Sequence, residues 1–268
     1  MLKTRVLTAL VLLPLMLAAL FAFPPAAWAA FAWLVVGLAL WEFTRMARLS
    51  GPLQWAYLAL STGLAAAAWL SGWRLPAVAH GAVLLFWLAL VPLWLARRWS
   101  LASRPASLLL GWALVFPAWF AFLDWRPAVD ARHGFALLAL MGLVWVADIA
   151  AYFAGRAFGR RKLAPSISPG KTWEGVAGAV VCVLGYTWLV NTLGWLDVAM
   201  PAWLLLPVAL VLTAVSVMGD LLESWFKRAA GIKDSSALLP GHGGVYDRID
   251  SLVAVLAVGN ALRVLSAF

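Results

Sequence analysis

An all-α, polytopic integral membrane protein of about nine transmembrane helices is what this sequence predicts, with its N-terminus and its chemistry on the cytoplasmic side. Three observations carry that prediction. Apolar residues are 65% of the chain and charged residues 12%, against about 45–50% and about 25% in a soluble domain, and mean hydropathy is +0.93. The apolar residues gather in nine runs near the length of roughly 20 residues that crosses a bilayer. With the N-terminus inside, Lys and Arg divide 16 to 4 between the cytoplasmic and opposite loops; Arg74, Arg126, Arg132 and Arg263 are the four outside. That segregation is the positive-inside pattern, so the pI near 10.4 marks topology and not nucleic-acid binding.

The runs lie at about 6–23, 27–43, 54–72, 77–96, 107–123, 134–153, 175–195, 202–222 and 250–267. Lys3 and Arg5 ahead of a Leu-rich first run, with small residues at Ala27–Ala30, also resemble a signal peptide. The expectation is that the segment is kept as the first span. Phe23-Pro24-Pro25 turns it into the second, whose one chemical residue is Glu42. Spans three to five are featureless apart from Pro92 and Pro117, which membrane helices tolerate. The chain therefore divides into an N-terminal helical part, 1–133, and a chemical part, 134–268, with cytoplasmic loops at 154–174 and 223–249. Trp is abundant, and Trp28, Trp41, Trp55, Trp73, Trp99, Trp112, Trp125, Trp195 and Trp203 near span ends read as an interfacial belt. The lone Cys182 excludes a disulfide framework or a Cys-rich zinc site.

Two constellations interrupt the apolar sequence. Asp148, Tyr152, Gly155 and Arg156 share one stripe of the sixth span. The stripe leads to Ser168-Pro169-Gly170-Lys171-Thr172-Trp173-Glu174-Gly175. Ser168 or Thr172 can cap the next helix, whose first N–H groups and Lys171 together suit a phosphate. Gly170-Lys171-Thr172 matches the end of a P-loop, but Pro165 stands where that loop needs glycine, and a membrane helix is predicted where it needs a preceding strand. The second constellation, residues 219–250, holds five of the eleven acidic groups and four of the twenty basic ones. An ionisable group within a spanning helix costs roughly 2.5–3.5 kcal/mol on insertion scales, so such density needs a reason. Asp220, Glu223, Ser224, Lys227 and Arg228 line one helix face, and Asp247, Asp250 and Ser251 open the ninth span. Carboxylates without His or Cys make a hard oxygen site for Mg²⁺, with a second ion compatible with their number. The expected metal ligands are Asp220, Asp247 and Asp250. Gly243 and Gly244 beside His242 allow positive φ and close approach of backbone to a ligand.

Ser224, Lys227, Arg228, Lys233, Asp234, Pro240, His242, Gly243, Gly244, Asp247, Arg248 and Asp250 fall at the spacing S-x-x-K-R, K-D, P-x-H-G-G-x-x-D-R-x-D. The chain thereby resembles the phosphatidate cytidylyltransferase family, bacterial type. Residues 168–175 are similar to that family's S-P-K-K-T-x-E-G, except that Gly170 stands where a second Lys is common. The resemblance implies condensation of CTP with phosphatidic acid to CDP-diacylglycerol and pyrophosphate, in a multi-pass protein of the bacterial inner membrane. It also implies a homodimer, with membrane lipids as further partners. On this reading Lys227, Arg228, Asp247 and Arg248 act in catalysis. Arg156, Ser168, Lys171, Ser224, Lys233, His242, Gly243 and Gly244 bind substrate, and Asp148, Tyr152, Glu174 and Glu223 have open roles. An isoprenoid-lipid acceptor is the nearer alternative. A transporter is the more distant one, disfavoured because the acids gather at one membrane face with no relay across.

Overall fold

The computed structural model describes residues 2–100, 104–196 and 201–266. Among the described residues, nine helical rods lie along the nine expected runs. They are α1 (Leu2–Ala22), α2 (Pro25–Met46), α3 (Gly51–Ser71), α4 (Ala77–Arg97), α5 (Arg104–Trp125), α6 (Ala131–Phe158), α7 (Trp173–Thr192), α8 (Ala202–Ala230) and α9 (Tyr246–Leu265). Six of them, α2 and α4 to α8, are long and apolar enough to cross a membrane on length and composition. The chain is thus a helical, multi-pass membrane protein. In α4 a wide turn over Phe86–Leu90 precedes Pro92. Proline cannot donate to the carbonyl four residues back, and the ladder accommodates the loss by widening.

The centre of the bundle is α9, not the most apolar rod. Every residue from Ser251 to Ala261 is buried, and α2, α4, α5, α6 and α8 all pack on it. Its charges stand only at its ends, so the apolar run between them is what buries. On another side α2 and α5 share an aromatic layer. Trp28 Nε1 donates to Phe122 O at 3.0 Å and Trp119 Nε1 to Ala29 O at 3.1 Å. This corrects the belt expectation in part. Trp28 and Trp125 are buried, where their large rings fill gaps between helices, whereas Trp55, Trp73, Trp99 and Trp203 are exposed.

The α6–α7 pair is close because its contact face is small. A Cβ on Gly175 would come within 2.8 Å of Ala151 O, and one on Gly178 would collide with Ala154; small residues let backbones approach. The loop between the two helices departs from the helical expectation. Strands β1 (Lys162–Ala164) and β2 (Ser168–Thr172) form an antiparallel hairpin, Lys162 opposite Thr172 and Ala164 opposite Ser168. Pro165 prevents a helix from running on. A lone two-stranded ribbon is marginal in water, and this one is held at both ends. Glu174 accepts from the N–H groups of Arg160 and Arg161 at its base, and Ile167 is buried at its tip.

Candidate active site

The site begins at a helix crossing. A Cβ on Gly219 would lie 2.8 Å from Asp250 O and 3.1 Å from Ser251 Cα, so α8 and α9 touch backbone to backbone. Ser251 Oγ donates to Ser216 O at 2.9 Å across the same contact. The crossing sets Asp220 beside the start of α9. Asp250 lies within electrostatic reach of Asp220, Asp148 and Lys171, and Asp148 within reach of Asp220, Lys171 and Arg248. Lys171, delivered by β2, puts Nζ 2.5 Å from Asp220 Oδ2, and Ser224 Oγ donates to Asp220 Oδ1 at 3.2 Å. Thr172, not Ser168, caps α7: its Oγ1 accepts from Gly175 N at 3.1 Å. The two sequence constellations, about 70 residues apart in the chain, therefore meet at Lys171 and Asp220.

A second ionic centre adjoins the first. Lys227 Nζ stands 2.6 Å from both Asp247 Oδ1 and Glu223 Oε2. The contact with Glu223 is a close ion pair to a carboxylate that is fully buried. The other oxygen of Asp247 accepts from Gly244 N at 2.8 Å and Ser235 N at 3.0 Å. Both oxygens of Asp247 are thus engaged within the protein, as are both oxygens of Asp220, which meet Lys171 and Ser224. Asp247 ties the loop after α8 to the start of α9. The described residues hold no ready-made cluster of three His, Cys, Asp or Glu side chains around a metal. Asp148, Asp220 and Asp250 nevertheless supply the oxygen donors that Mg²⁺ prefers, and Asp247 carries the same chemistry.

The glycine-rich turn packs against two of the acids. Gly241 and Gly243 have φ of 77° and 82°, and Leu239 N donates to Gly243 O at 2.8 Å. Gly244, however, is a glycine for space: a Cβ there would overlap Ser235 Oγ and the Glu42 carboxylate. Gly243 and Gly244 thereby stand against Asp247 and Glu42. Arg248 Nε donates to His242 O at 2.9 Å, and Arg228 Nε to Ile167 O at 3.4 Å. Each guanidinium keeps further donors for an anion. Lys233 is exposed. Arg156 Nη1 donates to Tyr152 OH at 3.0 Å on an exposed face of α6, and among the described residues no hydrogen bond or ion pair joins either to the carboxylates. Glu174, as described, holds the hairpin base.

Glu42 is the residue whose part the sequence did not disclose. It is fully buried and accepts four hydrogen bonds. Val245 N and Tyr246 N donate at 2.9 and 2.6 Å, and the hydroxyls of Ser235 and Ser236 at 2.9 and 2.5 Å. An anion at the first N–H groups of α9 satisfies donors that the helix leaves open and complements its dipole. Only its oddity, an acid in an otherwise apolar half, hinted at this.

A family model described as the cytidylyltransferase family matches residues 3–265. The chain belongs to the cytidylyltransferase family. It is 42% identical to a phosphatidate cytidylyltransferase of Haemophilus influenzae over 96% of both chains. It is 44% identical to one of Pseudomonas aeruginosa over 98% of this chain and 97% of the relative. A Brucella suis phosphatidate cytidylyltransferase is 51% identical over 131 residues, 48% of this chain and 47% of the relative.

Proposed function

We propose that this member of the cytidylyltransferase family condenses CTP with phosphatidate, yielding CDP-diacylglycerol and pyrophosphate, at the cytoplasmic face of a bacterial inner membrane. Family membership supports the reaction class. The observation that carries the site is the meeting of Lys171 with Asp220, beside Asp148 and Asp250, where α6, α7, α8 and α9 come together. All nine rods span, in this reading. The ends of α2, α6 and α8 and the starts of α7 and α9 meet at one end of the bundle, and Thr8 Oγ1 of α1 donates to Pro240 O there at 3.0 Å. That is the end where the sequence concentrates Lys and Arg, which supports an N-terminus in the cytoplasm.

The chemistry needs no side-chain nucleophile. An oxygen of the lipid phosphate, already anionic near neutral pH, attacks the α-phosphorus of CTP. The bond from that phosphorus to the oxygen bridging to the β-phosphate breaks, and pyrophosphate leaves with the electron pair. The obstacle is repulsion between two anions. Mg²⁺ bound by Asp220 and Asp250, with Asp148 adjoining, would supply charge neutralisation on the phosphates. Lys171 is placed to exchange its contact with Asp220 for a phosphate oxygen. Arg228 and Arg248, anchored on carbonyl groups by one donor each, present the remaining donors to the triphosphate. Lys227, held between Glu223 and Asp247, keeps the loop carrying His242 against α9. The lipid tails remain in the bilayer.

Purified protein given labelled CTP, phosphatidate and Mg²⁺ should yield lipid-soluble label and pyrophosphate in equal amounts. Label transfer that ignores phosphatidate, or that prefers a polyprenyl acceptor, overturns the assignment. The homodimer implied by the resemblance belongs to the same proposal, and mass determination in detergent tests it.

A further inference from the structure

The cytoplasmic end of α2 carries two arginines outside the machinery just described. A cleft of about 550 Å³ is lined by Trp41, Arg45, Arg48, Ser50, Gln54 and Trp55. It continues into a groove of about 520 Å³ between α2 and α3, which shares Trp41 and Trp55 and adds Gly37, Leu38, Leu58 and Leu238. Both volumes fall in the range of roughly 300–1,000 Å³ usual for small-molecule sites. The arrangement is polar where the helix ends and apolar along the helix below, which is the profile of a phospholipid.

Among the described residues, neither Arg45 nor Arg48 has an acidic partner. Arg45 lies over the Trp41 ring at 5.0 Å and gives one long hydrogen bond, 3.3 Å, to Ser235 O. Stacking and that single bond orient the guanidinium and leave its other donors outward. Arg48 stops α2 with φ of 55°, a left-handed position where glycine is usual. An arginine kept at such a position puts a second guanidinium at the level of the headgroups. Two forks of N–H donors suit a phosphate, and the trough between the helices suits an acyl chain.

We propose that the α2–α3 groove binds one anionic phospholipid of the surrounding leaflet, its headgroup phosphate on Arg45 and Arg48 and an acyl chain along Gly37, Leu38 and Leu58. This lipid is not the one that reacts. The groove residues make no bond to Lys171 or Asp220, and buried Glu42 with the Ser235–Gly244 loop lies behind Arg45. It does touch the reaction loop: Arg45 holds the carbonyl of Ser235, whose N–H holds Asp247. The proposal rests on the membrane placement given above and not on the reaction itself.

The test is native mass spectrometry of the full chain in neutral detergent, titrated without CTP with phosphatidylglycerol, which is not a substrate of the proposed reaction, and with phosphatidylcholine. Wild type should retain one phosphatidylglycerol more than Arg45→Gln/Arg48→Gln, at a roughly tenfold lower lipid concentration. It should favour phosphatidylglycerol over phosphatidylcholine. Gly37→Phe puts a ring into the trough, since only Trp33 lies within 4 Å of a Cβ there, and should lose the same lipid with both arginines intact. Unchanged elution volume and unfolding temperature show that the variants fold. Equal retention by wild type and the double variant overturns the proposal, and so does equal affinity for the two lipids. A Gly37→Phe protein that binds like wild type also overturns it, because the site would then hold a headgroup or free phosphate and no tail. Loss of label transfer from CTP moves none of these readings, so failure of the reaction and failure of the lipid site are told apart.

Discussion

The central helix α9 ends in two polar knots that treat charge in opposite ways. At its C-terminal end one acid is saturated. Asp124 Oδ1 meets Arg74 Nε at 3.2 Å, Oδ2 accepts from Asn260 Nδ2 at 2.8 Å, and its carbonyl accepts from Arg263 Nη2 at 2.8 Å. Nearby, Arg126 is buried and donates to Leu20 O and Phe23 O at 2.5 and 2.6 Å, closing the end of α1. At the N-terminal end Asp148, Asp220, Glu223, Asp247 and Asp250 share two paired lysines, Lys171 and Lys227. At the C-terminal end three arginines stand around one carboxylate, and most of their contacts are to backbone carbonyls. The other end holds carboxylates in excess of the cations that the protein itself supplies, an arrangement that costs stability unless something binds. Carboxylates in excess at one end and arginines tied to backbone carbonyls at the other separate reaction from scaffold within a single helix.

The sharpest way to break that distinction is to remove charge from each end in turn. Asp220→Asn keeps the shape of the side chain and the Ser224 contact but removes the partner of Lys171 and a proposed metal ligand. Turnover of CTP and phosphatidate should fall by about 10²–10³-fold or more, with the unfolding temperature in detergent unchanged or raised. Asp124→Asn should do the reverse: full turnover, and a stability loss of about 1 kcal/mol or less, because Arg74 is half-exposed and its ion pair is screened. Loss of activity in the Asp124 variant at full folding would erase the contrast.

Between the two ends stands Glu42, which belongs to the scaffold by burial and to the reaction by what it holds. Glu42→Ala leaves two backbone N–H groups and two hydroxyls without their acceptor in a buried place. Unsatisfied donors cost about 1–3 kcal/mol each, and a loss of about 3–5 kcal/mol in total is expected, read by thermal or chaotrope unfolding. Gly244→Ala attacks the same junction more gently. The added methyl presses on Ser235 and Glu42, and over-packing of this kind costs about 1–3 kcal/mol. Turnover should fall with it, since Ser235 and Gly244 both hold Asp247. A Gly244→Ala protein with wild-type turnover would detach the turn from the reaction.

These residues also mark what the sequence can and cannot tell. The nine rods were legible, because an apolar run of spanning length is a local signal. The face Asp220–Glu223–Ser224–Lys227–Arg228 was legible for the same reason: helical spacing puts it on one side, and Lys227 does reach Glu223 one turn away. The approach of Gly155 to Gly175 was foreshadowed by small residues on the stripe. Contacts without a period were not legible. Glu42 lies about 200 residues from Val245 and Tyr246 in the chain, and nothing in its neighbourhood announces that pairing. Asp247 reads as a metal ligand from the acids and basic residues around it, and its protein partners are a separate matter. Its commitment to Lys227, Gly244 and Ser235 depends on how the loop folds back. The hairpin at 162–172 lies below the length at which strand alternation shows in sequence, and Glu174, which secures it, looked like any acid at a helix start.

Gly170 gives the smallest and most discriminating comparison, because it sits in the reaction half yet contacts nothing. A Cβ there meets no atom within 4 Å, and its backbone is not in the positive-φ region. Gly170→Lys, which restores the basic pair common in the family's S-P-K-K-T pattern, should therefore leave stability within about 0.5 kcal/mol of wild type. Its ammonium would stand next to Lys171, exposed and screened, so the gain should be confined to capture of an anionic substrate. The expected result is a KM for CTP or phosphatidate lowered a few-fold, fading as salt is raised, with kcat unchanged. A change in kcat would mean that the hairpin backbone at 170 enters the reaction directly. A salt-independent change in KM would mean that Lys171 is not where the substrate's charge is first met.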